Sequence, residues 1–441
     1  MSNVRFDVHD KPPIGQWVPL SIQHVFAMFG ATVLVPLLTH MSPSAALFTS
    51  GFGTLVYILI TQGKVPAYLG SSFAFIPPLI AISANYGIEY ALGGAFAVGF
   101  VYLLIGGIIR AFGLGWMDRF LPPVVIGSVI VTIGLNLAPV AMDMAMNDAT
   151  GYNGYYVLVA VVTLAIAIIC AVLLKGFFTV IPVLLGIIGG YVFTLVVGWI
   201  WPSHALIDFG VVSSANWFGF AKFALPKFAL VPIATFALVS FATIAEHLGD
   251  TLVTSRVVGR DFYKDPGLHR TLAGDGIATS LAALFGGPPN TTYGENIGVM
   301  AISRVYSVWV IGGAAVMAVV LSLIQKFGAL LQTIPTPVMG GISMMLFGVI
   351  AASGIRTLVE SGIDYSRKRN LIISSVILVI GIGGGKLLFP ISEALEFKLE
   401  GVALATLVGI ILNLVLPRDI EVNGASKDKQ DKLGQAAASA E

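Results

Sequence analysis

Two things are scarce in this chain of 441 residues: cysteine and charge. The one cysteine, Cys170, lies inside an apolar run, so no disulfide partner exists and the thiol reads as a small packed hydrophobe. Charged residues make up 11% of the sequence against 56% hydrophobic, and mean hydropathy is +0.90. A soluble domain of that composition cannot cover its surface with polar groups. The net charge is only +1, which removes the electrostatic case for a nucleic-acid partner. Metal-ligand spacings, a Walker loop and a Ser-His-Asp arrangement are all missing from the sequence. No metal or cofactor is therefore expected, and both an ATP-driven pump and a membrane-embedded enzyme are disfavoured.

What is present is a series of apolar runs near the ~20 residues needed to cross a bilayer. Clear ones are 18–39, 91–109, 155–174, 180–200 and 305–324. Segmentation predicts fourteen membrane segments, starting near residues 17, 44, 66, 91, 121, 154, 177, 230, 268, 289, 305, 335, 370 and 400. With both termini in the cytoplasm, all but five of the 24 Lys and Arg fall on the inner side, as the positive-inside rule asks. The five are Lys222, Lys227, Lys326, Lys386 and Lys398. The opening "MSNVRFDVHDKPP" is polar and leads into a full-length span, so no cleavable signal peptide is expected. The predicted organisation is a cytoplasmic N-terminus (1–16), seven segments (17–205), a periplasmic connector (206–229), seven more segments (230–417) and a disordered cytoplasmic tail (418–441).

Segments three and ten are broken. The third reads "VPAYLGSSFAFIPPLIAISA" and the tenth lies in "GGPPNTTYGENIGVMAISR". Proline removes backbone donors and glycine loosens the chain, so neither segment forms one continuous helix. Irregular backbone at membrane depth survives only where protein buries it or where it lines a cavity. Phe73 and Tyr293 are 220 residues apart, half of the 441, and each broken segment is third in a set of seven. Seven is odd, so the second set enters the membrane from the opposite side, as in an inverted repeat with a midplane substrate site. The alternative is a kinked segment used only for packing.

Ionisable residues inside such a chain are costly and mark function by default, at ~3 kcal/mol or more near the bilayer centre. Glu246 and Asp250 are spaced i, i+4 and share a helix face. Asp250 alternatively ends a solvated helix. His247 points elsewhere on that helix and reads as a packed histidine bonded to a neighbour. Glu295 follows Gly294 in the broken segment, where it suits a polar ligand or caps a short helix. Asp275 and the pair Gln23–His24 are weaker candidates, each equally suited to an interhelical hydrogen bond. What remains is a secondary carrier whose carboxyl groups exchange protons, with the faces of Phe73 and Tyr293 available to a flat ring.

The stretches "SIQHVFAMFGATVLVP", "KVPAYLGSSFAFI", "IAEHLGD", "DPGLHR" and "PNTTYGENIGVMAISRVYSVWVIGGAA" closely resemble the nucleobase–ascorbate transporter family (nucleobase:cation symporters), on the branch of the bacterial uracil:proton symporters. The family signature is matched by Glu295, Asn296, Gly298, Ser303 and Arg304, with serine where threonine is usual. The resemblance implies an all-α membrane fold of fourteen segments in two inverted repeats. A core domain (segments 1–4 and 8–11) and a gate domain (5–7 and 12–14) are implied, with short strands in segments 3 and 10. It also implies that Glu246 and Glu295 hydrogen-bond a nucleobase, that the backbone at Phe73 and Gly294 adds bonds, and that the rings of Phe73 and Tyr293 pack on it. Family members are commonly dimers, which makes a second copy of the chain a candidate partner beside lipid, protons and the base. Asp250 replaces a histidine tied to proton coupling in the uracil carrier, Asp275 resembles a carboxylate of purine-type members, and Phe347 replaces a gate-domain tyrosine. The expectation is a proton-coupled uracil importer of the bacterial inner membrane, with Glu246, Asp250, Glu295, His24 and Asp275 as proton-coupling candidates. A xanthine or urate carrier is the near alternative, and an anion exchanger or channel on the same fold a more distant one.

Overall fold

Apolar runs become helices here because a bilayer offers no partner to a backbone N–H or C=O, and a helix satisfies both within one segment. The computed structural model describes residues 4–417 apart from Lys222 and residues 393–394, so the tail expected at 418–441 lies outside the described residues. Among the described residues, eight helices are long and apolar enough to span a membrane. They are α1 (Ile14–Leu38), α2 (Pro43–Ile60), α4 (Ile88–Phe112), the pair α5–α6 (Pro123–Asn136 and Ala138–Met146), α7 (Gly154–Leu173), α8 (Pro182–Ile200), α9 (Leu230–Val258) and α13 (Thr336–Glu360). Shorter helices complete the bundle: α3 (Ile76–Tyr86), α10 (Leu268–Leu284), α11 (Gly294–Ser303), α12 (Val308–Ser322), α14 (Lys368–Ile382) and α15 (Gly401–Val415). The chain is a multi-pass membrane protein.

Proline sets several boundaries. The run expected from residue 121 divides at Leu137, ahead of Pro139, into α5 and α6. The run expected from 177 opens with a 3-10 turn over Gly176–Val180, and α8 starts at Pro182, whose ring suits the first helical position. Small residues set the closest contacts: a Cβ on Gly99 of α4 would sit 2.4 Å from the Gly276 carbonyl of α10. In contrast, α7 and α8 bury only 22% of their spanning windows and expose Ile168, Ile169, Ile188 and Val192 to the hydrocarbon.

Both broken segments contain a strand. β1 (Leu69–Ser71) pairs antiparallel with β2 (Asn290–Thr292), in the register Leu69↔Thr292, Gly70↔Thr291, Ser71↔Asn290. The ladder is extended by Ser72 N–H to the Pro289 carbonyl at 2.8 Å and Tyr293 N–H to the Tyr68 carbonyl at 2.9 Å. A hairpin, β3 (Lys386–Ser392) with β4 (Leu395–Glu400), stands between α14 and α15, where the sequence suggests only a connection.

Candidate functional site

A two-stranded ribbon inside a membrane protein has two bare edges, and side chains from flanking helices cover them here. On α2, Ser50 Oγ donates to the Leu69 carbonyl at 2.7 Å and Thr54 Oγ1 accepts from Leu69 N–H at 2.9 Å. On α10, Thr279 Oγ1 donates to the Asn290 carbonyl at 3.0 Å, and Asn290 Nδ2 donates to the Thr49 carbonyl at 3.0 Å. The i, i+4 hydroxyls of Ser50 and Thr54 are the signal in the sequence that such an edge exists.

Each strand runs directly into a helix. After β1 comes a 3-10 turn (Phe73–Phe75) leading into α3, and after β2 comes α11. Because the strands are antiparallel, the two helices leave in opposite directions and both N-termini stay at the ribbon. First-turn N–H groups have no intrahelical partner, and neither N-terminus carries a side-chain cap, so these donors remain for a ligand.

Gly294 begins α11 exposed, with nothing within 4 Å of where a Cβ would point, and Glu295 follows it in the first turn. Phe73 is half-buried at the other N-terminus. Tyr293 is placed differently from its expected role as a ring face. It is 3% exposed, and its hydroxyl donates to the Ser71 carbonyl at 3.0 Å and accepts from Thr32 at 3.2 Å. Its ring lies over Gly70, where a Cβ would come within 2.4 Å of it. Tyr293 thus clamps β1 against α1, and Phe73 is the ring that keeps an open part.

α9 supplies the facing wall. Glu246 and Gly249 are exposed, and no atom lies within 4 Å of a Cβ on Gly249. Asp250 is partly exposed and tethered: its Oδ2 accepts from Thr292 Oγ1 of β2 at 2.8 Å. His247, on another face, pairs through Nδ1 with Asp275 Oδ2 of α10 at 3.0 Å, both side chains being 0% exposed. Asp275 and His247 therefore form a fully buried interhelical pair. His24 is likewise internal; Asn296 Nδ2 of α11 donates to its Nδ1 and to its carbonyl, both at 3.1 Å, which leaves the ring proton on Nε2. Phe347 is 1% exposed and belongs to the main core cluster, against which Phe73 also packs.

Glu246 lies within electrostatic reach of Asp250, Asp275 and Glu295. Among the described residues, none of these four carboxyl groups is ion-paired with a lysine or arginine. The three that keep some exposure, Glu246, Asp250 and Glu295, disfavour an anion and favour a ligand that presents N–H groups, or protons on the carboxyl groups themselves. Along α9 the exposed stripe runs from Glu246 through Gly249, Leu252 and Val253 to Arg256, whereas Ala242, Val239 and Thr235 on the other side are buried. A separate cavity of about 590 Å³ lies beyond that closed part, lined by Pro77, Pro78, Thr235, Val239 and Asn136, and contains none of the residues named above as ligand contacts.

Residues 15–388 fit the Permease family (Xan_ur_permease). The chain belongs to that family. It is 52% identical over 432 residues to the uracil permease of Bacillus subtilis (strain 168), covering 94% of this chain and 96% of that protein. It is 44% identical over 442 residues to the uracil permease of Escherichia coli (strain K12), covering 98% and 100%. Family membership makes the chain a membrane transporter and not an enzyme. Solved structures that share its fold include the following two. The murine Solute Carrier 26 family member A9 anion transporter in the inward-facing state has a TM-score of 0.69 at 12% identity, covering 92% of this chain and 68% of that one. The transmembrane domain of the cyanobacterium bicarbonate transporter BicA has 0.61 at 16%, covering 93% and 100%. At such identities the likeness concerns fold alone.

Proposed function

We propose that this permease imports uracil with protons across the bacterial inner membrane by alternating access. The observation that carries this reading is the pair Glu246 and Glu295, without cationic partners among the described residues, beside two uncapped helix N-termini. Uracil offers ring N–H donors and carbonyl acceptors on one flat edge. The carboxylates accept the N–H groups, first-turn backbone N–H groups at Phe73 and Gly294 donate to the carbonyls, and the Phe73 ring covers a face. The kinship with proteins named uracil permease supports the choice of base. Asp250 and Asp275, both purine-type features, favour a second reading as a xanthine or urate carrier. Uptake of labelled uracil in competition with a panel of bases decides between them: uracil alone should compete at micromolar levels, and stronger competition by xanthine overturns the first reading. An anion exchanger or channel is disfavoured by the carboxyl groups of Glu246, Asp250 and Glu295.

The proposed architecture is fourteen segments in two inverted repeats of seven, both termini cytoplasmic, with a core of segments 1–4 and 8–11 and a gate of 5–7 and 12–14. Exposed aromatics Trp217, Phe218 and Phe220 between α8 and α9 suit one membrane interface, and the Arg367, Lys368, Arg369 run suits the cytoplasmic side. In a Cys170→Ser background, Trp217→Cys should label from the periplasm and Lys368→Cys only from inside. Labelling of both from the periplasm in sealed cells sinks the topology.

Asp250→Asn keeps an acceptor for Thr292 and removes the charge. Equilibrium uracil binding is expected to stay within about fivefold, the ~1 kcal/mol between a charged and a neutral hydrogen bond. Concentrative uptake should fall much further, because one proton is worth roughly a fifty-fold ratio per 100 mV. Undiminished accumulation against a gradient removes Asp250 from the coupling route.

A further inference from the structure

α9 and α11 carry the two glutamates, and their arginine-rich ends are joined by a segment that the transport reading does not use. Val8 is 0% exposed and sits in one cluster with Ile297 and Met300 of α11 and with Tyr306 and Val308. Val257 and Val258 of α9 pack on the same cluster. The backbone around Val8 is fastened to the α11–α12 link: Arg5 N–H to the Arg304 carbonyl at 3.0 Å, Tyr306 N–H to the Phe6 carbonyl at 2.8 Å, and Val308 N–H to the Val8 carbonyl at 3.0 Å. Ser307 Oγ adds a bond to the Asp10 carbonyl at 2.6 Å. On the α9 side, Arg260 Nη2 donates to Asp7 Oδ2 at 2.7 Å, while Asp7 Oδ1 accepts from Val8 N–H at 2.7 Å.

We propose that residues 4–10 are a clasp that fixes the spacing of α9 and α11, and hence of Glu246 and Glu295, with Val8 and Asp7 as positioning residues. The reach is short. At 1.5 Å of rise per residue, Met300 lies about 7.5 Å along α11 from Glu295, and Val257 about 16 Å along α9 from Glu246. A rigid helix therefore passes a displacement at the clasp to its carboxyl group. The division of labour follows from exposure. The Asp7–Arg260 pair is half-exposed, at 49% and 38%, so solvent screens it, whereas Val8 is fully enclosed and closes the gap between the helices. The consequence for uracil rests on the reading above; the mechanical claim does not.

The test uses full-length protein with spin labels at Val253 and Ile302, both exposed, in a Cys170→Ser background. Wild type and Val8→Ile should give one narrow distance distribution, and Val8→Asp a broadened one. Asp7→Arg should broaden it less, with recovery when Arg260→Asp is added. Uracil binding by calorimetry on the same proteins should weaken about tenfold for Val8→Asp and about threefold for Asp7→Arg, the latter again rescued by the swap. Folding is followed by the thermal midpoint. An unchanged distance distribution in Val8→Asp overturns the clasp, as does a lowered midpoint with unchanged uracil affinity in the folded fraction. Broadening in protein whose wild type binds no uracil supports the clasp and sinks the substrate.

Discussion

Glu246→Gln and Glu295→Gln are each expected to weaken uracil binding roughly ten- to a hundredfold, the ~1.5–3 kcal/mol of a hydrogen bond to a charged group. At least one should also uncouple uptake from protons. Glutamine keeps the size and one acceptor, so it separates hydrogen bonding from titration. Glu246 is exposed and has no cationic partner among the described residues, so its charge has nothing but the ligand, a proton or water to meet. The measurement is proton uptake on uracil addition to proteoliposomes, with wild type and both variants side by side. If both glutamine proteins alkalinise the medium as wild type does, neither residue is the coupling group.

Asp275→Ala is expected to lose most of the folded protein. Removing one member of a buried pair costs about 3–5 kcal/mol, a large part of a total stability of about 5–15 kcal/mol. Besides the 3.0 Å contact, His247 Nε2, Asp275 Oδ1 and the hydroxyl of Tyr57 are buried without hydrogen-bond partners among the described residues, so the surroundings offer His247 little compensation. Replacing both members, His247→Leu with Asp275→Val, should restore the melting temperature, since an apolar pair of similar volume is often neutral or better. Uracil uptake in that double variant then assigns the pair. Recovery of stability and accumulation together makes it packing; recovery of stability alone places it on the proton route. A double variant as unstable as Asp275→Ala contradicts the energetic account.

The helices and the two interruptions were legible in the sequence because they depend on local chemistry: apolar length, Pro77, Pro78, Pro288 and Pro289. The i, i+4 spacing of Glu246 and Asp250 was legible for the same reason. Contacts set by register were not. That Thr292 bonds Asp250 depends on how β2 lies against α9, and nothing within 42 residues of chain between them announces it. Tyr293 has the composition of a stacking ring, yet the bare backbone of Gly70 draws it inward, a pairing visible only once β1 and β2 are in register. The hairpin of β3 and β4 went unread because Pro390 and the charges around it look like a connection. For His247 and Asp275 the sequence allowed an interhelical bond without naming the partner, which required the packing of α9 on α10.

The register between β1 and β2 has a consequence for how the protein is made. Ser71 leaves the ribosome 219 residues before its partner Asn290. At about 5–20 residues per second, that is a wait of roughly ten to forty seconds. Throughout it, β1 has no ladder partner and sits in or beside a bilayer that cannot solvate it. The hydroxyls of Ser50 and Thr54 are already in place on the preceding helix, so they can hold one edge of the strand from the start. The other edge stays open until the second half arrives, which makes the nascent first half the stage at which insertion factors and membrane proteases compete for this transporter.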